Sequence, residues 1–188
     1  MKRLLLVLFT FVACLAAQAQ QFNGIELSGN RKEFTSRYLQ GRTTASVFYR
    51  TENETAVKDK FLNSPVTIYI QRHHSSNTDD KWCVWFDIIF PKSADWAAME
   101  NKYNEVLAYF TKQYGEPNQW LCHRKFGYPY NNGNHKGNEL LALKYTECEY
   151  SDSFYIGSWR LVISLEYVED VANNTTYYSI MVNYFPRQ

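Results

Sequence analysis

The sequence lacks the short motifs by which many catalytic and nucleotide-binding sites are recognised. It contains no G-x-S-x-G nucleophile elbow, no P-loop, no dinucleotide fingerprint and no H-E-x-x-H zinc signature. Glycine is also scarce, with 8 in 188 residues, so there is little material for a loop that wraps a phosphate. We therefore predict no catalytic residues, no metal ligands and no cofactor, and an enzyme is the less favoured class.

An excess of charge of one sign is also lacking. The 20 Lys and Arg residues are almost balanced by 19 Asp and Glu residues, which gives a formal net charge of +1. Proteins that hold a nucleic-acid backbone need a basic surface. The composition therefore predicts no nucleic-acid partner.

Long apolar runs are limited to the first residues. Lys2 and Arg3 precede an apolar stretch over 4–17 that ends in Ala-Gln-Ala at 17–19. The stretch is shorter than the roughly 20 residues of a membrane span, and the pattern is typical of a cleaved secretory signal. We predict a signal peptide over 1–19, a single domain over 20–188 and a periplasmic or secreted location. A lipoprotein anchored through Cys14 is the alternative.

Cysteine is sparse, and its spacing is uninformative about metals. The three cysteines outside the leader, Cys83, Cys122 and Cys148, form no C-x-x-C pair, so neither a redox motif nor a zinc site is indicated. An exported chain meets an oxidising compartment. We predict a disulfide between Cys122 and Cys148, which fall in segments interpreted as neighbouring strands, with three free buried thiols as the alternative.

Large side chains are abundant by contrast, and the clearest pattern lies in the middle of the chain. Between Ser93 and Gly115, seven of them recur at steps of three and four: Trp96, Met99, Tyr103, Val106, Leu107, Phe110 and Tyr114. This spacing predicts a long amphipathic helix that Ser93 caps and Gly115 ends. A shorter helix is predicted over 30–40, where Asn30 and Glu33 form a capping-box pattern.

Most other segments alternate as strands do. We predict strands over 43–50, 66–72, 82–90, 120–126, 139–150, 159–167 and 178–184, with irregular chain over 51–64 and a turn at 151–153. In the hairpin of 66–72 with 82–90 the even positions are apolar, and we place Ile70 opposite Trp82. The fold class is α+β: two helices on one face of an antiparallel, meander-type sheet of about seven strands, arranged as two helix-plus-strands halves.

Four patterns of this chain recur in a known group. They are a short helix containing a Phe, Phe22-x-Gly24-Ile25-x-Leu27-x-Gly29, Tyr114-Gly115-x-Pro117 and Gly157-x-Trp159-x-Leu161-x-Ile163. With these the chain resembles secreted proteins of unknown function that abound in Bacteroidetes, and the resemblance implies no activity and no functional residues. The two-half layout is also similar in shape to the β-lactamase inhibitory protein fold.

Candidate catalytic groups are few. His73 and His74 lie near Asp79 and Asp80, but adjacent strand residues point to opposite faces, so the two imidazoles do not form a natural ligand pair. Pairs of carboxylates such as Glu147 and Glu149 suit glycoside hydrolysis in principle. A cell-envelope hydrolase using carboxylates or His73 is therefore kept as an alternative function.

The main functional expectation concerns the sheet face away from the helices. If the even positions of the hairpin face inward, then Tyr69, Cys83, Trp85 and Ile89 face outward, and Tyr177, Met181 and Phe185 do so on the last strand. Large amphipathic rings are favoured contact residues. We therefore predict a non-catalytic module that binds a protein, peptide or glycan through this face or the loop 127–138, with Tyr69, Trp85, Tyr128 and Tyr130 as ligand-binding residues. A homodimer through the same face and an inhibitor of another secreted protein are the alternatives.

Overall fold

A computed structural model of the chain describes residues 21–22, 24–26, 30–71, 85–118, 139–145, 150–157 and 159–186. Three helices lie in these ranges: α1 (Arg31–Leu39), α2 (Trp96–Tyr114) and α3 (Glu139–Lys144). The strands are β1 (Gln21–Phe22), β2 (Ile25–Glu26), β3 (Ser46–Arg50), β4 (Glu54–Phe61), β5 (Ser64–Gln71), β6 (Phe86–Ile89), β7 (Ser151–Ile156), β8 (Trp159–Asp170) and β9 (Thr175–Pro186).

Seven of the strands form one antiparallel sheet in the order β3-β4-β5-β6-β9-β8-β7, and β1 pairs only with β2. The first half of the chain supplies α1 and the meander β3–β6, and the second half supplies α2, α3 and the meander β7–β9. The last strands of the two halves pair in the middle, with Ile88 opposite Val182. The predicted α+β class and the seven-stranded meander sheet are confirmed.

The long helix α2 packs on the sheet as its periodicity predicts. Met99, Tyr103, Val106 and Phe110 are buried against the strands, with Tyr103 and Phe110 fully enclosed. The helix ends at Gly115, whose φ of +82° favours glycine. The predicted cap is wrong: the Asp95 side chain accepts the Ala98 amide at 3.1 Å, whereas the Ser93 hydroxyl accepts the Asp95 amide, one turn before the helix.

The shorter helix α1 begins with the predicted capping box. The Asn30 side chain accepts the Glu33 amide, and the Glu33 carboxylate accepts the Asn30 amide in return. Phe34 and Tyr38 are buried on the same sheet face as the α2 ridge, where they join one continuous apolar core. All three helices contribute buried residues to that core, so the described helices cover a single face of the sheet.

The hairpin parity is correct, but its register is wrong. Ile70 lies opposite Phe86, and Ile68 lies opposite Ile88, so even positions do pair with even positions. The predicted partner of Ile70, Trp82, lies outside the described residues. The observed register therefore differs from the predicted one by four residues, with Phe86 in the place that we assigned to Trp82.

The region 51–64 was expected to be irregular, and this is wrong. It contains β4 and the tight turn into β5, where Leu62 and Asn63 both have positive φ. Two polar side chains, Thr55 and Asp59, occupy inward positions of β4. They interrupt the alternation of apolar and polar residues by which a strand is recognised in the sequence. The turn also lacks the Asn-Gly pair by which such hairpins are usually recognised.

Two further predictions in the second half are wrong. The segment from Glu139 to Lys144 is helical instead of extended, because Ala142 and Leu143 pack against the core from one side of a short turn of helix. The supposed turn at 151–153 is the start of β7, in which Asp152 is buried and accepts the Tyr103 hydroxyl at 2.7 Å.

Several predictions fall outside the described residues. They are the signal peptide over 1–19, the strand over 120–126, the loop 127–138 with Tyr128 and Tyr130, the pair Cys122 and Cys148, and the cluster that includes His73. Within the described ranges, no helix is both long and apolar enough to cross a membrane.

Candidate binding face

The face of the sheet away from the helices, here called the open face, carries a row of large side chains across four strands. The row consists of Trp85 beside β6, Phe185 on β9, Arg160 on β8 and Tyr155 on β7, and we call it the aromatic–arginine row. Arg160 is the backbone partner of both Phe185 and Tyr155 in the registers of the sheet. Since neighbouring strands lie about 4.8 Å apart, the row extends roughly 14 Å from end to end.

Within this row Trp85, Phe185 and Arg160 are in contact, and the two end members, Trp85 and Tyr155, are exposed. The centroids of Trp85 and Phe185 lie 5.7 Å apart, and the Arg160 guanidinium carbon lies 5.5 Å from the Phe185 centroid. Trp85 is 38% exposed and Tyr155 is 44% exposed, so a bound molecule can reach both rings. The row therefore presents a continuous aromatic and cationic surface.

A buried carboxylate fixes the orientation of Trp85. The indole nitrogen Nε1 of Trp85 donates to Asp87 Oδ1 at 2.6 Å, and Asn183 Nδ2 donates to the same oxygen at 2.6 Å. The second oxygen, Oδ2, accepts Gln71 Nε2 at 3.3 Å. Asp87 lies on β6 between Tyr69 and Asn183 on the neighbouring strands. The carboxylate thus holds the ring in one rotamer, which lowers the entropic cost of using it as a contact.

The environment of Asp87 disfavours its charge. Burial raises the pKa of the Asp87 carboxyl, and the hydrogen bonds from Asn183 and Trp85 offset that effect only in part. Glu166, on the same face, adds a small further increase by charge repulsion. The three described hydrogen-bond donors to Asp87 are all neutral, and no cation of the described ranges pairs with this carboxylate.

The one cation of the row has a different kind of environment. Arg160 Nη2 donates to Ser153 Oγ at 3.2 Å, and the guanidinium leans on the Phe185 ring. Among the described residues, ion pairs form between Arg42 and Asp59 and between Lys102 and Glu105, and neither involves Arg160. Arg160 Nε is buried, so an acceptor on a bound molecule would meet the remaining Nη hydrogens of the guanidinium.

The structure places the described candidates on the open face. Trp85 is exposed, and Tyr69 is half-buried, as are the other described residues that we expected to point outward: Ile89, Tyr177, Met181 and Phe185. The candidates Tyr128 and Tyr130 lie outside the described residues, so whether the loop joins this face stays a prediction.

Sequence reasoning missed the polar part of the arrangement. Asp87 could have been noticed, because a lone carboxylate two positions from Trp85 in an apolar strand shares its face. Asn183 and Arg160 could not, since their approach depends on the pairing of β6, β9 and β8. Tyr155 was missed because its strand was read as a turn.

The described residues offer little for metal or nucleophilic chemistry. Within them, no group of three His, Cys, Asp or Glu side chains is close enough to hold a metal ion. Comparison of the chain with protein-family models, with curated proteins and with solved structures finds no significant match. The resemblance to secreted Bacteroidetes proteins therefore stays a prediction, and the function has to be argued from the geometry alone.

Proposed function

We propose that this protein is an exported, non-catalytic module that binds a protein, peptide or glycan on its open face. The observation that carries the proposal is the accessible Trp85 ring, held in place by Asp87 and continued by Phe185, Arg160 and Tyr155. Trp, Tyr and Arg are the residue types that contribute most to binding energy in known interfaces.

The shape of the row favours an extended ligand. Its length of roughly 14 Å corresponds to about four residues of an extended peptide at 3.3 Å per residue. The aromatic rings would contact the apolar faces of the ligand. Arg160 within the row and Gln71 next to it would supply hydrogen-bond donors. In most binding sites the apolar and aromatic side chains supply most of the contact area, and a few polar groups fix the orientation of the ligand.

The test uses the double variant Trp85→Ala and Tyr69→Ala. Labelled wild-type protein is applied to peptide and glycan arrays, and the affinity for any bound probe is then measured in solution. The double variant is expected to lose at least about tenfold in affinity, since truncating one interface anchor commonly costs more than 1 kcal/mol. Circular dichroism should show that its fold is retained, because both side chains lie outside the helix-covered core.

A matched control is Tyr145→Ala, because Tyr145 is an exposed aromatic that follows α3 and lies outside the row. It should bind as the wild type does. If the double variant unfolds, the rings belong to the core and the proposal fails. Equal loss of binding in the control would also contradict it.

The partner on the open face could be a second copy of this protein, so that the chain forms a homodimer. Light scattering with size-exclusion chromatography should then give a dimer for the wild type and a monomer for the double variant. Inhibition of another secreted protein is the case in which the partner is an enzyme, and co-purification of an active-site complex would identify it.

A hydrolase is the competing function. The observation that favours it is the raised pKa of the Asp87 carboxyl, to which the negative charge of Glu166 contributes. The registers separate the two residues by two strand spacings and four residues along β8, which is roughly 16 Å between their backbones. Glycoside hydrolases keep their two carboxyl groups about 5 to 9.5 Å apart. The carboxyl groups lie closer than the backbones, since the Glu166 carboxylate accepts the Ser164 hydroxyl at 3.0 Å, two residues nearer to the level of Asp87. Glu166→Gln tests this alternative, and hydrolysis of cell-envelope material that is unchanged in the variant would count against it.

A further inference from the structure

A second feature lies on the other side of the sheet, between α1 and the edge formed by β3 and β4. It is a cavity of about 270 Å³. Three cationic side chains line it, from Arg31, Lys32 and Arg50. The rest of the wall consists of Ser36, Thr55 and Leu39 and of Thr35, whose hydroxyl already donates to the Arg31 carbonyl at 2.7 Å. No carboxylate is among these lining residues, so the cavity is rich in hydrogen-bond donors and positive charge.

The Arg31 guanidinium is held in place at the wall of the cavity. Its Nη1 donates to Thr55 Oγ1 at 2.6 Å and its Nη2 to the Glu52 carbonyl at 2.7 Å. Thr55 is only 1% exposed, so this contact is built into the fold. A guanidinium has five N–H donors and two are used here, while the Thr55 hydroxyl keeps its own proton to donate.

The nearest acid on the same helix is already engaged. Glu33 accepts Asn30 Nδ2 at 3.0 Å and the Asn30 amide at 3.3 Å, so the capping box directs its carboxylate away from the cavity. Among the described residues, the ion pairs are formed by other cations, Arg42 and Lys102. The positive charge of the cavity is therefore left for a ligand to neutralise.

The position of two of the cations also breaks a local rule. Arg31 and Lys32 are the first two residues of α1, and the start of a helix is the positive end of its dipole, where cations are unfavourable. Arg50, from β3, then adds a third positive charge to the same cavity. Conflicts of this kind between sequence and local structure are concentrated at functional sites.

We infer that this cavity binds a small phosphomonoester, a site separate from the open face. A phosphate group carries close to two negative charges at neutral pH and offers three acceptor oxygens, which matches a wall of cations and hydroxyl donors. Leu39 and the methylene stem of Lys32 give the organic part of the ligand an apolar contact. The volume suits a ligand of a few carbon atoms and is just below the usual range for drug-sized molecules.

The test is a calorimetric titration of the full chain with glycerol phosphate, with glycerol as the uncharged comparison. Wild-type protein should bind glycerol phosphate saturably, with a dissociation constant of about 1 mM or below, and should not bind glycerol. Arg50→Gln and Lys32→Gln should each weaken binding about tenfold. Arg31 is left intact, because it also holds Thr55 and the chain at Glu52.

The matched control is Lys112→Gln, which removes one exposed positive charge from the far end of α2. It should change the affinity by less than twofold. An equal loss in this control would show that only net charge matters, and absence of saturable binding by the wild type would overturn the inference. Melting curves of all three variants verify that they are folded.

Two sources of the phosphate group can be told apart in the same series. Vesicles containing phosphatidic acid are compared with soluble glycerol phosphate, using Arg50→Gln in both arms. Loss of vesicle binding in the variant identifies a lipid headgroup, and loss of soluble binding alone identifies a free metabolite. If Arg50→Gln changes neither arm, the cavity is not a phosphate site. The open-face double variant should bind glycerol phosphate normally, so the two proposals fail independently.

Discussion

Two aspartates on opposite faces of the sheet are almost equally buried, yet their surroundings shift their pKa values in opposite directions. Asp59 points toward the helices and is 4% exposed, and Asp87 points to the open face and is 8% exposed. Asp59 forms an ion pair with Arg42 at 3.0 Å and accepts the Tyr38 hydroxyl at 2.6 Å. Asp87 has three neutral donors and, in the part of the chain that the structure describes, no cationic partner.

The pKa shifts follow from this difference. Burial is the largest single influence on Asp59 and raises its pKa, but the hydrogen bonds to the carboxylate, led by those from Thr44 and Tyr38, together outweigh burial and lower the pKa. At Asp87 burial prevails and the pKa is raised. A carboxylate that joins a strand to a helix is stabilised in its charged form, whereas the one that orients Trp85 is kept at the expense of folding energy, as functional groups often are.

The largest effect is expected for Asp59→Asn, which should lower the free energy of unfolding by about 3 kcal/mol. Removing one partner of a buried ion pair costs about 3 to 5 kcal/mol, and the partly exposed Arg42 side chain can recover some hydration. Urea denaturation at neutral pH measures the loss. The difference in unfolding free energy between the wild type and the variant should decrease on acidification. A carboxyl whose pKa is lowered by folding stabilises the folded state fully above about pH 4, and this stabilisation is lost as the pH falls below that value.

A smaller decrease in the free energy of unfolding, about 1 to 2 kcal/mol, is expected for Tyr38→Phe. The change removes one donor to a buried carboxylate, while the bonds from Thr44 and Arg42 remain. The control is Tyr69→Phe on the open face, which should change the free energy of unfolding by less than about 0.5 kcal/mol. If both variants lost the same unfolding free energy, the proposed difference between the helix-covered face and the open face would be contradicted.

The smallest effect is expected for Asp87→Asn, which should change stability at neutral pH by less than about 1 kcal/mol. The amide oxygen still accepts from Trp85 and Asn183, the amide group can donate to a rotated Gln71, and no buried charge remains. Denaturation across pH checks the sign. Because the folded pKa is raised, wild-type stability relative to the variant should fall as the pH rises from about 4 through the folded pKa. A rise over that range would contradict the assignment.

The parts of the fold that sequence predicted correctly are those with a complete local signal. Helix α2 has an uninterrupted apolar stripe and a glycine at its end, and α1 has a capping box with buried rings one turn apart. Strands β8 and β9 alternate over most of their length, and the inward residues Leu161, Ile163 and Val182 are fully buried as predicted. In these segments the periodicity and the burial agree.

The errors occur where burial and polarity disagree. Strand β4 was missed because Thr55 and Asp59 face the core, and no local pattern reveals that Arg31 and Arg42 would satisfy them. The segment of α3 has too few residues for its period to separate a helix from a strand. The site was only partly predictable for a related reason: strand parity places Trp85, whereas its contact with Asn183 through Asp87 needs the tertiary pairing.

The pairing of β6 with β9 has a consequence for how the molecule is made. Asp87 and Asn183 are 96 positions apart, yet they touch, and the strand that joins both meanders is formed by the last residues described. During synthesis the first meander has an unpaired edge at β6 until the residues of β9 have been made. The two meanders therefore become one sheet only after β9 has emerged, and a variant in which β9 cannot form leaves β6 and β8 without the strand that they share.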